Sequence, residues 1–106
     1  MKDQEKGMQE LQLIEQNLSN LLMQKQNFQS RLLENENALN ELSLTKKQPY
    51  KILGNIMVSV NKEELEKEIN SEKEIFELRI KNIEKQENKL KEKAQDLQKE
   101  LLKEIR

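Results

Sequence analysis

Apolar residues recur along the first part of the chain at alternating spacings of three and four residues. The positions are Leu11, Ile14, Leu18, Leu21, Lys25, Phe28, Leu32, Asn35, Leu39 and Leu42. This spacing is that of the a and d seam of a left-handed coiled coil, and it predicts a helix from about Asp3 to about Ser43. Two polar residues, Lys25 and Asn35, interrupt the seam. Such a residue can specify register, and Lys25 can also extend its ammonium group to solvent.

A second heptad pattern occupies the last part of the chain. Ile69, Phe76, Ile83, Leu90 and Leu97 recur every seven residues, and the positions four residues further on are Lys73, Ile80, Glu87, Ala94 and Leu101. Asn61 and Glu64 are spaced as a capping box, and Val60 and Leu65 as a hydrophobic staple. A helix that begins just after Asn61 is therefore predicted.

The residues between the two heptad patterns predict a β-hairpin. Pro49 ends the helical pattern, and the segment that follows, Y-K-I-L-G-N-I-M-V-S-V, is rich in strand-forming residues. Gly54-Asn55 suits a type II′ turn, which sets Leu53 opposite Ile56. The same register sets Ile52 opposite Met57 and Lys51 opposite Val58. The candidate hairpin residues are Tyr50, Ile52, Leu53, Gly54, Ile56, Met57 and Val58.

An isolated hairpin of this kind predicts an oligomer. A two-stranded hairpin is marginally stable in water, and its unpaired edges recruit other strands. We therefore expect hairpins from several chains to pair into a common sheet or barrel. Within each chain we expect a single, mainly α domain over residues 1–106. It would comprise helix 1 (1–45), a linker and hairpin (46–61) and helix 2 (62–106), with the helices forming an antiparallel coiled coil.

Composition excludes several functional classes. The chain has no Cys and no His, so thiolate chemistry and the commonest general base are absent, and no catalytic, metal or cofactor site is expected. No unbroken Lys/Arg run suits nucleic acid, and no apolar run suits a membrane span. The first residues lack the apolar core of a secretion signal. A cytoplasmic protein that is not an enzyme is expected.

Apolar residues outside the seams lie near the two chain ends. Met8, Leu13 and Leu102 are off the seams, and Ile105 flanks one. Together with the seam residues Leu11 and Leu101, they are candidates for an interaction surface, because exposed apolar clusters mark such surfaces. The alternative interpretation is that they are scattered surface residues, which are normal.

Three segments carry a resemblance to a known family. They are L-L-M-Q-K-Q-N-F-Q over 21–29, Tyr50–Val58, and E-L-R-I-K-N-I-E-K-Q-E over 77–87. With a hairpin centred on one Gly between arms of matching length, the chain resembles the β-class subunit of prefoldin, in particular an archaeal one. The short connection between the arms favours the β class over the α class.

The resemblance implies a function as well as a fold. It implies a hexamer of two α and four β subunits, in which hairpins build a double β-barrel body that carries coiled-coil arms. It further implies that the arm ends hold unfolded proteins without ATP and pass them to a group II chaperonin. The competing hypothesis is a structural coiled-coil adaptor or dimerisation protein that binds no clients.

Overall fold

Two long helices and one short hairpin account for nearly all of the chain. In the computed structural model, α1 spans Lys2–Leu44, β1 Tyr50–Leu53, β2 Ile56–Ser59 and α2 Lys62–Ile105. The structure describes residues 2–105, with side chains over 4–103. The predicted order of elements is confirmed, and the observed helix ends lie within about two residues of the predicted ones, which is the usual uncertainty of helix boundaries.

The fold divides into two units. Residues 2–27 and 80–105 form one of them, the terminal unit, and residues 28–79 form the other, the hairpin unit. Each unit contains a segment of both helices. The antiparallel sheet lies in the hairpin unit.

The seam residues of both units are the ones that the heptad pattern predicts. Ile14, Leu42, Phe76 and Ile83 are buried, and the other predicted seam positions are buried or half-buried. In the hairpin unit, Phe28 and Phe76 lie with ring centroids 5.8 Å apart. The Arg31 guanidinium lies 5.9 Å from the Phe76 centroid, within the range of a cation–π interaction. The core of each unit is therefore a narrow apolar stripe.

The hairpin has the predicted register. Leu53 pairs with Ile56, Ile52 with Met57 and Lys51 with Val58. Gly54 has φ of +59°, and no described residue other than glycine has a positive φ, which fits a type II′ turn. A Cβ atom at Gly54 would meet nothing within 4 Å. The turn therefore requires glycine for its backbone conformation and not for space.

The start of α2 is stabilised by the predicted cap. The Glu64 amide donates to Asn61 Oδ1 at 3.1 Å, and the Leu65 amide donates to the Asn61 carbonyl at 2.9 Å. Gln48 adds a connection that the sequence did not suggest, because its Nε2 donates to the Val60 carbonyl at 2.6 Å. The Val60 amide in turn donates to the Pro49 carbonyl at 3.2 Å. These bonds join the two segments that lead into and out of the hairpin.

Replacing Asn61 with Ala should destabilise α2. The substitution leaves the Glu64 amide without its side-chain acceptor, and loss of such a cap costs about 1 kcal/mol. We expect a lower midpoint of urea unfolding, followed by circular dichroism at fixed protein concentration. Asn61→Asp keeps an acceptor and should unfold near the wild-type midpoint. Equal midpoints for the Ala and Asp variants would show that the cap contributes nothing.

Candidate functional site

The hairpin is apolar on both faces. Side chains alternate between the faces of a strand, so Tyr50, Ile52 and Met57 share one face and Leu53, Ile56 and Val58 share the other. All six are exposed, from 40% for Val58 to 69% for Ile52. The outer edge of each strand also has no strand partner among the described residues. A two-stranded sheet with this much exposed apolar surface is incomplete on its own.

One ion pair links the hairpin to α2 within the hairpin unit. Lys51 Nζ lies 2.6 Å from Glu68 Oε1. Both side chains are substantially exposed, so the pair contributes at most about 1 kcal/mol. The pair orients the hairpin, because it draws the face that carries Lys51 toward α2. Val58, the least exposed apolar residue of the hairpin, lies on the same face. The face with Tyr50, Ile52 and Met57 is the more exposed one.

A cleft lined by both apolar and polar side chains extends the hairpin surface onto the helices of the same unit. Its volume is about 380 Å³. Side chains of both helices and of the segment before β1 line it, including Ala38, Leu42, Pro49, Tyr50, Leu65 and Ile69. Sequence reasoning did not find this cleft, since its lining comes from three separated segments. The one local signal for the cleft in the sequence was Leu65, which was predicted to form a hydrophobic staple with Val60.

The candidate client-binding residues of the terminal unit fall into two groups. Met8, Leu13 and Leu102 are 59%, 57% and 62% exposed. Leu11 and Leu101 are half-buried in the seam. The side chain of Ile105, the sixth candidate, lies outside the described residues.

Leu101 packs against a buried glycine of α1. A Cβ atom at Gly7 would lie 2.9 Å from Leu101 Cδ2, which is too close without movement. Glycine inside a helix costs roughly 0.5–1 kcal/mol relative to alanine, and here it makes room for the leucine. Sequence reasoning did not single out Gly7, although it lies one heptad before Ile14.

Other exposed apolar residues lie along both helices, away from the predicted ones. Their exposed fractions are 44% for Leu22, 65% for Met23, 58% for Leu33, 74% for Leu44, 53% for Ile75 and 59% for Leu78. All occupy positions outside the seams. Sequence reasoning missed them because it considered only the off-seam residues near the chain ends.

The polar seam residues have different surroundings in the two units. In the terminal unit, Lys25 Nζ donates to Glu87 Oε1 at 2.8 Å, and the side chains are only 20% and 9% exposed. In the hairpin unit, Asn35 Nδ2 is buried and has no hydrogen-bond partner among the described residues. Lys73 Nζ, at the other polar seam position of this unit, lies 4.0 Å from Glu36 Oε1. The sequence had left the role of Lys25 open, and the structure shows it paired across the seam.

The hydrogen bond from Lys25 to Glu87 raises the pKa of Lys25 above its usual value. Partial burial opposes this shift, while the charges of Glu87 and Glu84 reinforce it. The pKa of Lys25 is higher in the folded chain than in the unfolded chain. The pair therefore contributes its full stabilisation at pH values below the pKa that lysine has in the unfolded chain. That contribution is lost as the pH rises through the folded pKa.

High pH should therefore distinguish the wild-type chain from Lys25→Arg. Arginine keeps its charge at every accessible pH, so the variant retains an ion pair with Glu87 when Lys25 would have lost its proton. We expect the melting temperature of the wild type to fall more than that of the variant between about pH 9.5 and 11.5, a range that brackets the usual lysine pKa. Parallel curves across this range would contradict the linkage.

Comparison with known proteins shows the family. The family profile described as "Prefoldin subunit" matches residues 4–106. The chain is 41% identical over 93 residues to the prefoldin subunit beta of Sulfurisphaera tokodaii, covering 86% of this chain and 74% of that protein. It is 36% identical over 94 residues to that of Archaeoglobus fulgidus, covering 87% and 81% of the two chains.

A solved structure agrees with these matches. The crystal structure of the prefoldin beta subunit from Thermococcus strain KS-1 superposes with a TM-score of 0.90 at 28% identity, covering 97% of this chain and 92% of that one. No helix within residues 2–105 is long and apolar enough to cross a bilayer. The predicted mainly α fold, with a β-hairpin between two long helices, and the resemblance are both confirmed, and the chain belongs to the prefoldin family of chaperone subunits.

Proposed function

We propose that this chain is a β-type subunit of a hetero-oligomeric chaperone that holds unfolded proteins without ATP and passes them to a group II chaperonin. The observation that carries the proposal is the hairpin, which is apolar on both faces and has no strand partner at either outer edge among the described residues. A coiled-coil adaptor needs neither feature. Membership of a chaperone family supplies the functional class.

Assembly occurs through the hairpin. Strands of neighbouring subunits pair with the free edges of β1 and β2, and the apolar faces become buried in a barrel. The partner is a prefoldin α subunit, in a hexamer of two α and four β chains. The cleft beside Tyr50 continues the same surface and supports an extensive contact.

Client binding occurs in the terminal unit. Met8, Leu13 and Leu102 are exposed there, and flexible Met and Leu side chains suit contact with many different apolar sequences. Ile105 belongs to the same group by position, and Leu11 and Leu101 contribute from the edge of the seam. The chain carries no phosphate-cradling glycine loop, so holding a client consumes no nucleotide.

The whole chain works as one cytoplasmic domain that catalyses no reaction. Both heptad patterns continue across the boundary between the terminal and hairpin units, at Lys25 to Phe28 in α1 and at Phe76 to Ile80 in α2. This continuity supports a single domain over 1–106, with 1–45, 46–61 and 62–106 as its parts. The lack of Cys and His supports a binding function.

Replacing Ile52 and Ile56 with Lys should abolish the higher oligomer. The substitutions place a charge on each face of the hairpin, in positions that assembly would bury, and an unpaired buried charge is strongly unfavourable. Sedimentation with a prefoldin α subunit should show dissociated chains, while circular dichroism should show that the helices remain.

The matched control adds the same two charges elsewhere in the hairpin unit. Asn37→Lys with Asn40→Lys lies on exposed positions of α1 and should leave the hexamer intact. An intact hexamer in the Ile52→Lys, Ile56→Lys variant would show that the hairpin does not drive assembly.

Replacing Met8, Leu13 and Leu102 with Ser should weaken client holding and preserve assembly. The three side chains provide exposed apolar surface in the terminal unit, and their loss removes contact area for an unfolded chain. We expect the assembled variant to suppress aggregation of a chemically denatured test protein less well, with or without ATP. Single substitutions should have small effects because several arms share one client.

The control triple variant changes Leu33, Ile75 and Leu78 to Ser. These residues are about as exposed as the first three but lie in the hairpin unit. The control variant should therefore still protect the test protein from aggregation. A truncated chain that lacks residues 1–9 and 98–106 should behave like the first variant. Full protection by an assembly of the truncated chain would place client binding elsewhere on the protein.

A further inference from the structure

The seam of the terminal unit contains one charged layer. From Leu11 to Leu21 on α1 and from Leu90 to Leu101 on α2, every seam residue is aliphatic. Lys25 and Glu87 form the exception, and they meet at 2.8 Å with little exposure to solvent. Aliphatic layers pack against one another in several alignments, whereas a charged pair is satisfied in only one.

The layer of Lys25 and Glu87 disfavours a shift of α1 against α2 by one heptad. Moved by seven residues in one direction, Lys25 would face Ile80 and Glu87 would face Leu18. In the other direction, Lys25 would face Ala94. At Leu21 an aliphatic residue would still face an aliphatic residue after either shift, so this layer opposes the slip weakly. The slipped state would separate the two charges and place each opposite an aliphatic side chain, which is more costly than a mismatch of aliphatic side chains.

Register decides which residues become neighbours near the chain ends. Gly7 and Leu101 pack together in the observed register. Each helix turns by about 100° per residue, and the two helices are antiparallel, so the next residues, Met8 and Leu102, turn to the same side of the pair. Leu13 lies on the opposite side and on α1 alone. A register error would separate Met8 from Leu102 and would leave the exposure of Leu13 unchanged.

We propose that Lys25 and Glu87 are positioning residues for client binding: their ion pair selects the register that brings Met8 and Leu102 together as one apolar surface for an unfolded polypeptide. The inference rests on the proposed function for its ligand and on the seam geometry for its mechanism. The two parts are tested by separate measurements on the same full-length variants.

The test compares two double variants. Lys25→Leu with Glu87→Leu makes the whole seam aliphatic and should not lower the melting temperature, because a buried ion pair is often no more stabilising than an apolar one. Lys25→Glu with Glu87→Lys exchanges the charges and restores the pair. Since the chain has no cysteine, spin labels can be placed at Gln9 and Gln98 through two introduced cysteines.

The first measurement is the distance between the two labels in chains diluted with unlabelled chain. The wild type and the exchanged pair should each give one narrow distribution. The double-leucine variant should give a broadened or second population, displaced along the axis by about 10 Å, the length of seven helical residues. One narrow distribution in the double-leucine variant, or a broad one in the exchanged pair, would overturn the register role.

The second measurement is suppression of aggregation by the same variants, assembled with a prefoldin α subunit. Protection should fall for the double-leucine variant and return with the exchanged pair. Full protection despite a broadened distance distribution would overturn the positioning role. The Met8→Ser, Leu102→Ser variant tests the proposed function separately, because it changes the surface and leaves the register alone. Undiminished protection by that variant would refute client binding at this surface, whatever the labels report.

Discussion

Burial of one apolar stripe on each helix is the constraint on which the rest of this structure depends. Hydrophobic residues make up 34% of the chain and charged residues 37%, so only a narrow stripe of each helix is apolar. Ile14 and Ile83 are buried in the terminal unit, and Leu42 and Phe76 are buried in the hairpin unit. Most of the remaining surface of the helices is polar and solvated. Because the seams are narrow, few side chains hold the two helices of each unit together.

The same constraint explains why apolar surface remains outside the seams. Burial within the chain uses the seam positions, and the hairpin contributes little to it, since all six of its apolar side chains remain exposed. The chain therefore leaves apolar surface exposed in both units. In the hairpin unit this surface combines with free strand edges, which suits pairing with another subunit. In the terminal unit the exposed apolar surface consists of flexible side chains on helices, whose backbone groups are already hydrogen-bonded within the helix. Such a surface suits less specific contact.

The polar seam residues differ in what they contribute. Lys25 and Glu87 satisfy each other across the seam of the terminal unit. The buried amide nitrogen of Asn35 has no described protein partner, and Lys73 only approaches Glu36 at 4.0 Å. This part of the seam is consequently a weaker determinant of alignment. In the hairpin unit, the bonds of Gln48 and the ion pair between Lys51 and Glu68 supply alignment instead.

The sequence by itself determined the features whose causes are local. Heptad spacing predicted both helices and their seams, Pro49 and Gly54 located the end of the helical pattern and the turn, and Asn61 located the cap. Each of these depends on residues a few positions apart. The resemblance of three segments to prefoldin also indicated the family, because the motifs and the matching arm lengths occur together.

Only the tertiary structure decided the features that depend on which distant residues meet. Glu87 is separated from Lys25 by 62 positions, so its role as partner could not be read from either heptad pattern alone. The packing of Leu101 on Gly7, the cleft beside Tyr50 and the orientation of the hairpin by Glu68 have the same origin. A heptad pattern states which side of a helix is buried, but it repeats every seven residues and is equally compatible with several alignments. The observed alignment is the one in which Lys25 meets Glu87 and Leu101 packs on Gly7.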